Sequence, residues 1–344
     1  MEKVRLGRTN LMVSRTSFGA LPIQRVDFDE AKKILRKAYN NGINFFDTAR
    51  SYSNSEEKIG YALSDVRKDI IIATKTPAKD KKSLIKDLEN SLKSLKTDYV
   101  DILQLHNPNY LPISQPEDGF YLYDALLEVK KKGLTRYIGI SNHRLNVAME
   151  AVASNLYDTI QFPLSYISSV EDLALIDACN KNDIGIIAMK ALCGGIITNA
   201  ACAFAFLRQY ENLVPIWGIQ RESELNEFLA LEKEPPVLDE AMMKIIDKDR
   251  TDLAGTFCRG CGYCLPCSVG IEIPMAARMS LLLTRAPYQP FLEDNWKEKM
   301  ELIRQCTDCG KCKGKCPYGI DTPNLLRSML KNYEEFYNIH KNQH

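Results

Sequence analysis

An excess of either charge is missing from this chain. Its 344 residues carry 45 Lys plus Arg against 44 Asp plus Glu, a formal net charge of +1. That balance leaves no basic footprint for nucleic acid and no cationic face for an anionic membrane, so neither is expected as a partner. No secretory leader is expected either: Met1-Glu2-Lys3-Val4-Arg5 alternates charge with apolar residues and has no hydrophobic core. The longest apolar stretch, Ile184–Leu207, is broken by Lys190, Asn199 and the Gly194-Gly195 pair. It reads as a buried strand, a loop and a buried helix rather than a membrane span. Composition is skewed toward neither collagen, coiled coil nor disorder, with 45% hydrophobic, 26% charged and 9% aromatic residues. A globular chain remains, expected in the cytoplasm, with room for one large domain plus an appendage or for two domains.

Over roughly the first 230 residues, short β-branched runs alternate with amphipathic helical stretches. The expected strands are Thr16–Gly19, Asn44–Asp47, Ile70–Thr74, Val100–Leu105, Arg136–Ser141, Thr159–Gln161, Gly185–Met189 and Val214–Gly218. Between them, Asp29–Asn40 puts Ala31, Ile34, Leu35 and Ala38 on one stripe, and Lys82–Leu95 does the same with Ile85, Leu88, Leu92 and Leu95. Eight strands, each followed by a helix, predict an α/β fold, the (β/α)8 TIM barrel. A doubly wound sheet would open with a G-x-G-x-x-G turn after an early strand, and none is present. Val4–Leu6 and Leu11–Val13 flank Gly7-Arg8-Thr9-Asn10 and read as a small hairpin over the N-terminal face of the barrel. After Leu231 comes a linker, Glu232-Lys233-Glu234-Pro235-Pro236, and then a helix over Asp239–Asp249. The expected division is a barrel over 1–249 and a small, mainly helical domain over 250–344.

Eight of the eleven cysteines fall between Cys258 and Cys316. Cys258, Cys261, Cys264 and Cys267 are spaced C-x2-C-x2-C-x2-C; Cys306, Cys309, Cys312 and Cys316 are spaced C-x2-C-x2-C-x3-C, with Pro317 following. The second run is the bacterial ferredoxin spacing in full, in which three thiolates wrap one cubane and the fourth serves the other cluster. The crossed sets are then Cys258, Cys261, Cys264 with Cys316, and Cys306, Cys309, Cys312 with Cys267. In a reducing compartment clustered cysteine points to metal before disulfide. Structural zinc is the competing metal, but zinc ribbons use two separate C-x-x-C pairs per ion, not an unbroken triplet twice over. The first run departs from the pattern: its last gap is x2, and Ser268 stands where Pro is usual. Helical Ile273–Leu283 and Trp296–Ile303 lie between the runs, resembling a helical ferredoxin type. That segment holds little apolar sequence, so ligation is expected to supply much of its folding free energy. Cys179 and Cys202 read as core residues on apolar helix faces, and Cys193 as a small filler in the loop after the seventh strand.

In a (β/α)8 barrel the chemistry sits where strands end at the C-terminal face. Asp47 ends Asn44-Phe45-Phe46-Asp47, with Tyr52 in the loop beyond; Lys75 ends Ile71–Lys75; His106 ends Asp101–His106. The gaps of 23 and 31 residues, Tyr52 to Lys75 and Lys75 to His106, are one βα unit each, so adjacent strands can converge all four side chains. That set suits proton donation to a carbonyl oxygen. A phenol, with reference pKa about 10, is a poor acid at neutral pH, and an adjacent ammonium stabilises its phenolate. Asp47 would pin Lys75, and His106 would orient and polarise the substrate oxygen. Singly, each residue has a plainer reading as a cap, a surface group or a barrel-end histidine; the constellation is what speaks for catalysis.

Asp47-Thr48-Ala49-Arg50-Ser51-Tyr52, Thr74-Lys75-Thr76 and Leu105-His106-Asn107 resemble the aldo-keto reductase superfamily. The whole chain is similar to the branch with a C-terminal dicluster ferredoxin domain. The resemblance implies a nicotinamide cofactor, NADP or NAD, bound without a Rossmann motif, two [4Fe–4S] clusters, and Tyr52 as acid with Lys75, Asp47 and His106 in support. It also implies cofactor contacts from Ser141 and Asn142 to the carboxamide, with Gln161 as their partner, and from Gly19, Ala20 and Leu21 at the ribose and nicotinamide. The segment from Gly218 through Arg221 to Glu224 aligns with the adenine-phosphate contact. Met189 stands where many members have a stacking Tyr, Lys190 where many have Ser, and Glu224 where Arg or Gln is expected. Arg221 and Lys190 favour the 2′-phosphate of NADPH while Glu224 repels it, so weak discrimination between the two nucleotides is expected.

Two functions fit these features. One is a reductase of a small-molecule carbonyl compound. The other is an electron-transfer protein passing single electrons between its clusters and a flavin or a redox partner protein. Nicotinamide moves two electrons together and each cluster one, so coupling them calls for a flavin-like switch. No flavin motif is evident. The intact tetrad favours the reductase. Asn109–Tyr123, among the loops expected at the site, follows no readable rule, and the substrate is not named by the sequence.

Overall fold

Short, largely buried strands form the centre of the larger unit. In the computed structural model, which describes residues 1–112, 120–253, 257–285 and 288–341, β1 (Lys3–Arg5) and β2 (Met12–Ser14) pair antiparallel around a 3-10 turn at Gly7–Thr9. The barrel strands follow: β3 (Ser17–Gly19), β4 (Phe45–Asp47), β5 (Ile71–Thr76), β6 (Val100–His106), β7 (Thr135–Ser141), β8 (Thr159–Pro163), β9 (Gly185–Met189) and β10 (Leu213–Gly218). They run parallel in chain order, and β10 pairs with β3 to close the barrel. β4, β5 and β9 are buried along their whole length, as strands covered on both faces must be. The fold is the expected (β/α)8 barrel.

The outer layer consists of α1 (Phe28–Asn40), α2 (Ser55–Leu63), α3 (Lys81–Leu95), α4 (Phe120–Lys131), α5 (Leu145–Ser154), α6 (Val170–Lys181), α7 (Ala200–Arg208) and α8 (Glu222–Lys233). Asp27 caps α1 by accepting from the Glu30 N–H at 2.8 Å, and Ala31, Ile34, Leu35 and Ala38 form the buried stripe the sequence indicates. On α3 the buried face is Leu84, Leu88, Ser91 and Leu95, with the expected Ile85 and Leu92 at its margin. The face is turned because Ser91 serves a buried carboxylate: its hydroxyl hydrogen-bonds Glu56 of α2, a demand no apolar periodicity reveals.

The hairpin closes one end of the barrel. Leu6, Leu11 and Val13 join Phe45, Ile71, Ile102 and Val214 in the lumen. A Cβ on Gly7 would stand 2.2 Å from the Gly185 nitrogen, so the turn lies directly on the start of β9. The Arg8 N–H donates to the Asp183 carbonyl at 2.6 Å, and Ser14 N–H to Asn44 Oδ1 at 2.6 Å. All these partners lie at strand N-termini, which leaves the opposite, C-terminal face for chemistry.

Two compact units divide the chain: Met1–Ala191 with Ala200–Met243, and Leu192–Asn199 with Lys244–His344. The division falls inside α9 (Glu240–Asp252). The second unit contains α10 (Ile273–Ala276), α11 (Met279–Arg285), α12 (Asp294–Glu301), α13 (Lys311–Lys315) and α14 (Thr322–His340). The single helix expected over Ile273–Leu283 is broken. The Pro274 carbonyl accepts from Arg278 Nε at 2.8 Å, while the Arg278 N–H turns to Met275 at 3.0 Å. The segment between the runs, expected to hold too little apolar sequence to fold alone, packs against residues from outside it. Ile273, Met279, Leu283, Met300 and Ile303 pack with Leu326, Leu330 and Tyr333. The last three come from α14, beyond the second cysteine run, so the segment between the runs does not supply the core alone. Among the described residues no helix is long and apolar enough to cross a membrane. Of the Asn109–Tyr123 loop, residues 113–119 lie outside the described residues.

Candidate functional site

Three neighbouring strands carry ionisable side chains at one end of the barrel. Asp47 ends β4, Lys75 is the penultimate residue of β5, and His106 ends β6. Asp47 and Lys75 are 2% and 1% exposed, so their charges must satisfy each other. Lys75 Nζ donates to Asp47 Oδ1 at 2.6 Å and to the Thr48 carbonyl at 2.7 Å. Burial pushes the Asp47 carboxyl up and the Lys75 ammonium down, and the attraction between them opposes both shifts. Tyr52 sits in the loop after β4, in a turn closed by Tyr52 N–H to Ala49 O (3.0 Å) and Ser55 N–H to Tyr52 O (2.8 Å). Lys75 Nζ lies 5.3 Å from the Tyr52 ring centroid, and the His106 ring packs edge-on to it at 5.8 Å and 82°. Burial, aided by the charges of Lys75 and Lys190, pushes the His106 imidazole down to about 3. It is therefore neutral at physiological pH, with one nitrogen donating and the other accepting. The four residues expected to converge do so.

A buried residue that sequence reading missed ties this group to the next strands. Gln104 of β6, fully buried, donates to Gln161 Oε1 at 2.8 Å and lies 3.4 Å from Asp47 Oδ2. Gln161 Nε2 in turn lies 3.4 Å from Asp47 Oδ1. The signal was a polar residue among the apolar ones of a doubly buried strand, in Ile102-Leu103-Gln104-Leu105. His143, beside Asn142, is 4% exposed; burial and the charge of Lys190 hold its imidazole well below the ordinary histidine range.

The other expected contacts occupy the same strand ends and their loops. Ser141 ends β7 and is buried with Asn142 and Gln161. Asn142 Nδ2 donates to the Pro108 carbonyl at 2.8 Å, and its Oδ1 accepts from the Arg144 N–H at 2.8 Å, which fixes the amide. Gly19 ends β3; Ala20 N–H donates to the Asp47 carbonyl at 2.8 Å, Ser55 Oγ donates to the Ala20 carbonyl at 2.8 Å, and Leu21 is exposed. Met189 lies among the lumen residues, and Lys190 follows it in a left-handed backbone, φ 58°. Gly218 ends β10 and is exposed. Glu224 behaves differently from the phosphate-facing group that alignment suggests. Its Oε2 accepts from the Gln220 and Arg221 N–H groups at 2.7 and 3.0 Å, capping α8, and its Oε1 is 3.6 Å from Arg221.

In the second unit the cysteine loops repeat one conformation. Gly260 and Gly262 flank Cys261 at φ 63° and 82°, and Asp308 and Gly310 flank Cys309 at 50° and 68°. These left-handed residues fold each triplet back on itself. Among the described residues no three Cys, His, Asp or Glu side chains converge on one point. The thiols instead line two cavities. Cys258, Cys261, Cys264 and Cys316 line one. Cys267, Cys306, Cys309 and Cys312, again with Cys264, line the other. Arg278, 7% exposed, lies beneath the first loop, within 3.0 Å of where a Gly260 Cβ would stand, and donates to the Gly194 carbonyl at 3.0 Å. Cys179, Cys193 and Cys202 are buried, and burial pushes the Cys179 thiol up to about 12.

Against known families, residues 16–202 match the aldo/keto reductase model. This chain belongs to the aldo-keto reductase family. Residues 257–321 match the 4Fe-4S dicluster domain model, so the family member carries a C-terminal domain of that kind. L-galactose dehydrogenase of Arabidopsis thaliana is 32% identical, over 56% of this chain and 66% of that protein. An aldo-keto reductase of Bacillus subtilis, YhdN, is 31% identical over 58% of this chain and 64% of its own length. The chain thus spans slightly less than two thirds of the length of these two relatives. Among solved structures, a thermostable aldo-keto reductase in complex with the inhibitor epalrestat superposes with a TM-score of 0.60 at 27% identity. It covers 72% of this chain and all of that one.

Proposed function

We propose that this aldo-keto reductase reduces a small-molecule carbonyl compound with NADPH or NADH, and that its second unit holds two [4Fe–4S] clusters. In this reading 1–249 is the reductase and 250–344 the cluster domain. The observation that carries it is the buried Lys75–Asp47 pair beside the Tyr52 ring, with neutral His106 edge-on. A nicotinamide held by these residues would be the source of the hydride that the carbonyl carbon requires. Tyr52 gives its hydroxyl proton to the carbonyl oxygen, completing the alcohol, and the Lys75 ammonium stabilises the phenolate left behind. Asp47 fixes Lys75, and neutral His106 donates a hydrogen bond that orients the substrate oxygen. Ser141, Asn142 and Gln161 offer a buried amide-and-hydroxyl set suited to a carboxamide. Lys190 and Arg221 supply cations for phosphates, and Gly19, Ala20, Leu21, Met189 and Gly218 line the remainder of the cofactor path. The two cavities support the crossed ligand sets, Cys258, Cys261, Cys264, Cys316 and Cys267, Cys306, Cys309, Cys312. Thiols around a cavity suit a cubane better than a single zinc ion.

Tyr52→Phe removes the proton donor alone. It is expected to lower carbonyl turnover by roughly 10²–10⁴-fold with nicotinamide binding unchanged, and a loss under about threefold would overturn the assignment. Anaerobically prepared protein should contain about eight iron and about eight acid-labile sulfide per chain; stoichiometric zinc without sulfide would overturn the clusters.

A further inference from the structure

The two cysteine cavities differ in what surrounds them. The first is lined by Ile273, Ile320 and Tyr318, with Arg278 buried below the Cys258–Cys261 loop. The second opens outward: Cys309 is exposed, and Lys311 lines the same cavity. Lys311, Lys313 and Lys315 stand exposed along α13. From Arg304 to Arg327 the chain carries five basic residues (Arg304, Lys311, Lys313, Lys315, Arg327) and two acidic (Asp308, Asp321), a net +3 against +1 for the whole chain. Asp308 and Asp321 neutralise Arg327 and Lys313, and Arg304 pairs with Glu334, which leaves Lys311 and Lys315 as the cations without a carboxylate partner among the described residues. Lys315 reaches only a backbone carbonyl, that of Leu265 at 3.4 Å. Positive charge is therefore concentrated around the one cluster-run cysteine that is exposed.

We propose that the face formed by Cys309, Lys311 and Lys315 is the docking surface for a small acidic one-electron carrier protein. The inference rests on the cluster reading of the second unit. Flexible lysines spread along a short helix act as point charges and suit the diffuse surface of an acidic protein better than one bidentate anion. An exposed ligand at their centre brings the carrier's redox group to the shortest path inward. One electron leaves the carrier, which is oxidised by one, and the site held by Cys267, Cys306, Cys309 and Cys312 is reduced by one; no bond or proton moves. Cys264 lines both cavities and gives the electron a route to the first site.

The test uses full-length, anaerobically prepared protein and reduced flavodoxin as the acidic probe, with formation of its blue semiquinone followed by stopped flow. The second-order rate should fall steeply as ionic strength rises from roughly 0.01 to 0.5 M. Lys311→Gln/Lys315→Gln should lower the low-salt rate about tenfold and flatten that dependence, while Lys311→Arg/Lys315→Arg keeps both. Iron content, cluster midpoint potentials and reduction by photoexcited deazaflavin should match wild type, so that driving force and assembly are read separately. An iron-replete wild-type protein whose rate ignores salt overturns the docking surface, as does a Gln variant within about twofold of wild type at low salt. Absence of iron and sulfide from the wild-type protein overturns the cluster reading, and the docking surface with it.

Discussion

Glu224 holds two jobs in tension. Its carboxylate caps α8 through two backbone N–H groups, yet it puts a negative charge beside Arg221, the cation proposed for a 2′-phosphate. Glu224→Gln keeps an oxygen for the cap and removes the charge. Affinity for NADPH should rise about threefold to fivefold, the scale of one exposed charge, with NADH unchanged. Fluorescence titration checks this, and equal gains for both nucleotides would refute it. His106 and His143 bear on stability as well. Folding holds His106 at about 3 against an ordinary 6.5, and lowers His143 likewise. Between those values the unfolded chain binds more protons than the folded one. This stabilisation is therefore complete above about pH 6.5 and is lost progressively as pH falls toward 3, at about 1 kcal/mol per pH unit for a buried imidazole and less for the partly exposed His106. Urea unfolding at pH 7 and 5 should show the loss, and His106→Asn should reduce its slope.

At the scale of elements, β6, β7 and β8 are held together by what β7 lacks. Gly139 pairs with Gln104 on one side and Thr159 on the other. A Cβ there would lie 2.2 Å from Thr159 Oγ1 and 3.2 Å from Gln104 Cγ. Gly139→Ala therefore presses on the residue that steadies Asp47 and Gln161, and should destabilise the barrel by about 1–3 kcal/mol. Thr159→Ala, which removes the hydroxyl, should restore part of that loss in the double variant, the two sites being in contact. Denaturant midpoints for the four proteins of the cycle measure it; strict additivity would show that the clash is relieved elsewhere. The same crowding explains why α3 turns a serine inward: Glu56 is 1% exposed and needs Ser91 as well as Thr74, whose hydroxyl donates to it at 2.6 Å.

For the whole molecule, the two units have separate cores, and loss of iron should not affect them alike. On the cluster reading, treatment with a chelator under anaerobic conditions empties the cysteine cavities. It leaves the apolar cluster of Met279, Leu283, Leu326, Leu330 and Tyr333 in place. Hydrogen exchange should rise sharply through 257–270 and 306–320, less in α14, and not at all in the barrel strands. Loss of protection in α14 equal to that in the cysteine loops would mean that ligation, not packing, supplies the unit's stability.

Local periodicity and spacing were enough to determine a good deal. Short β-branched runs and helical stripes set the barrel strands to within a residue or two, because strands covered on both faces read as apolar runs regardless of their neighbours. The tetrad was legible because its members come from the ends of three successive strands and the loop after the first, and the cysteine runs because ligand geometry is written in spacing. Tertiary structure alone decided the rest. Gln104 beside Asp47, Ser91 beneath Glu56, Arg278 beneath Gly260 and α14 in the core of the second unit all join residues distant in the chain. Such partners answer a buried charge, a vacant Cβ position or an uncovered apolar face. Those demands arise only once the elements have packed, so no local pattern in the sequence carries them.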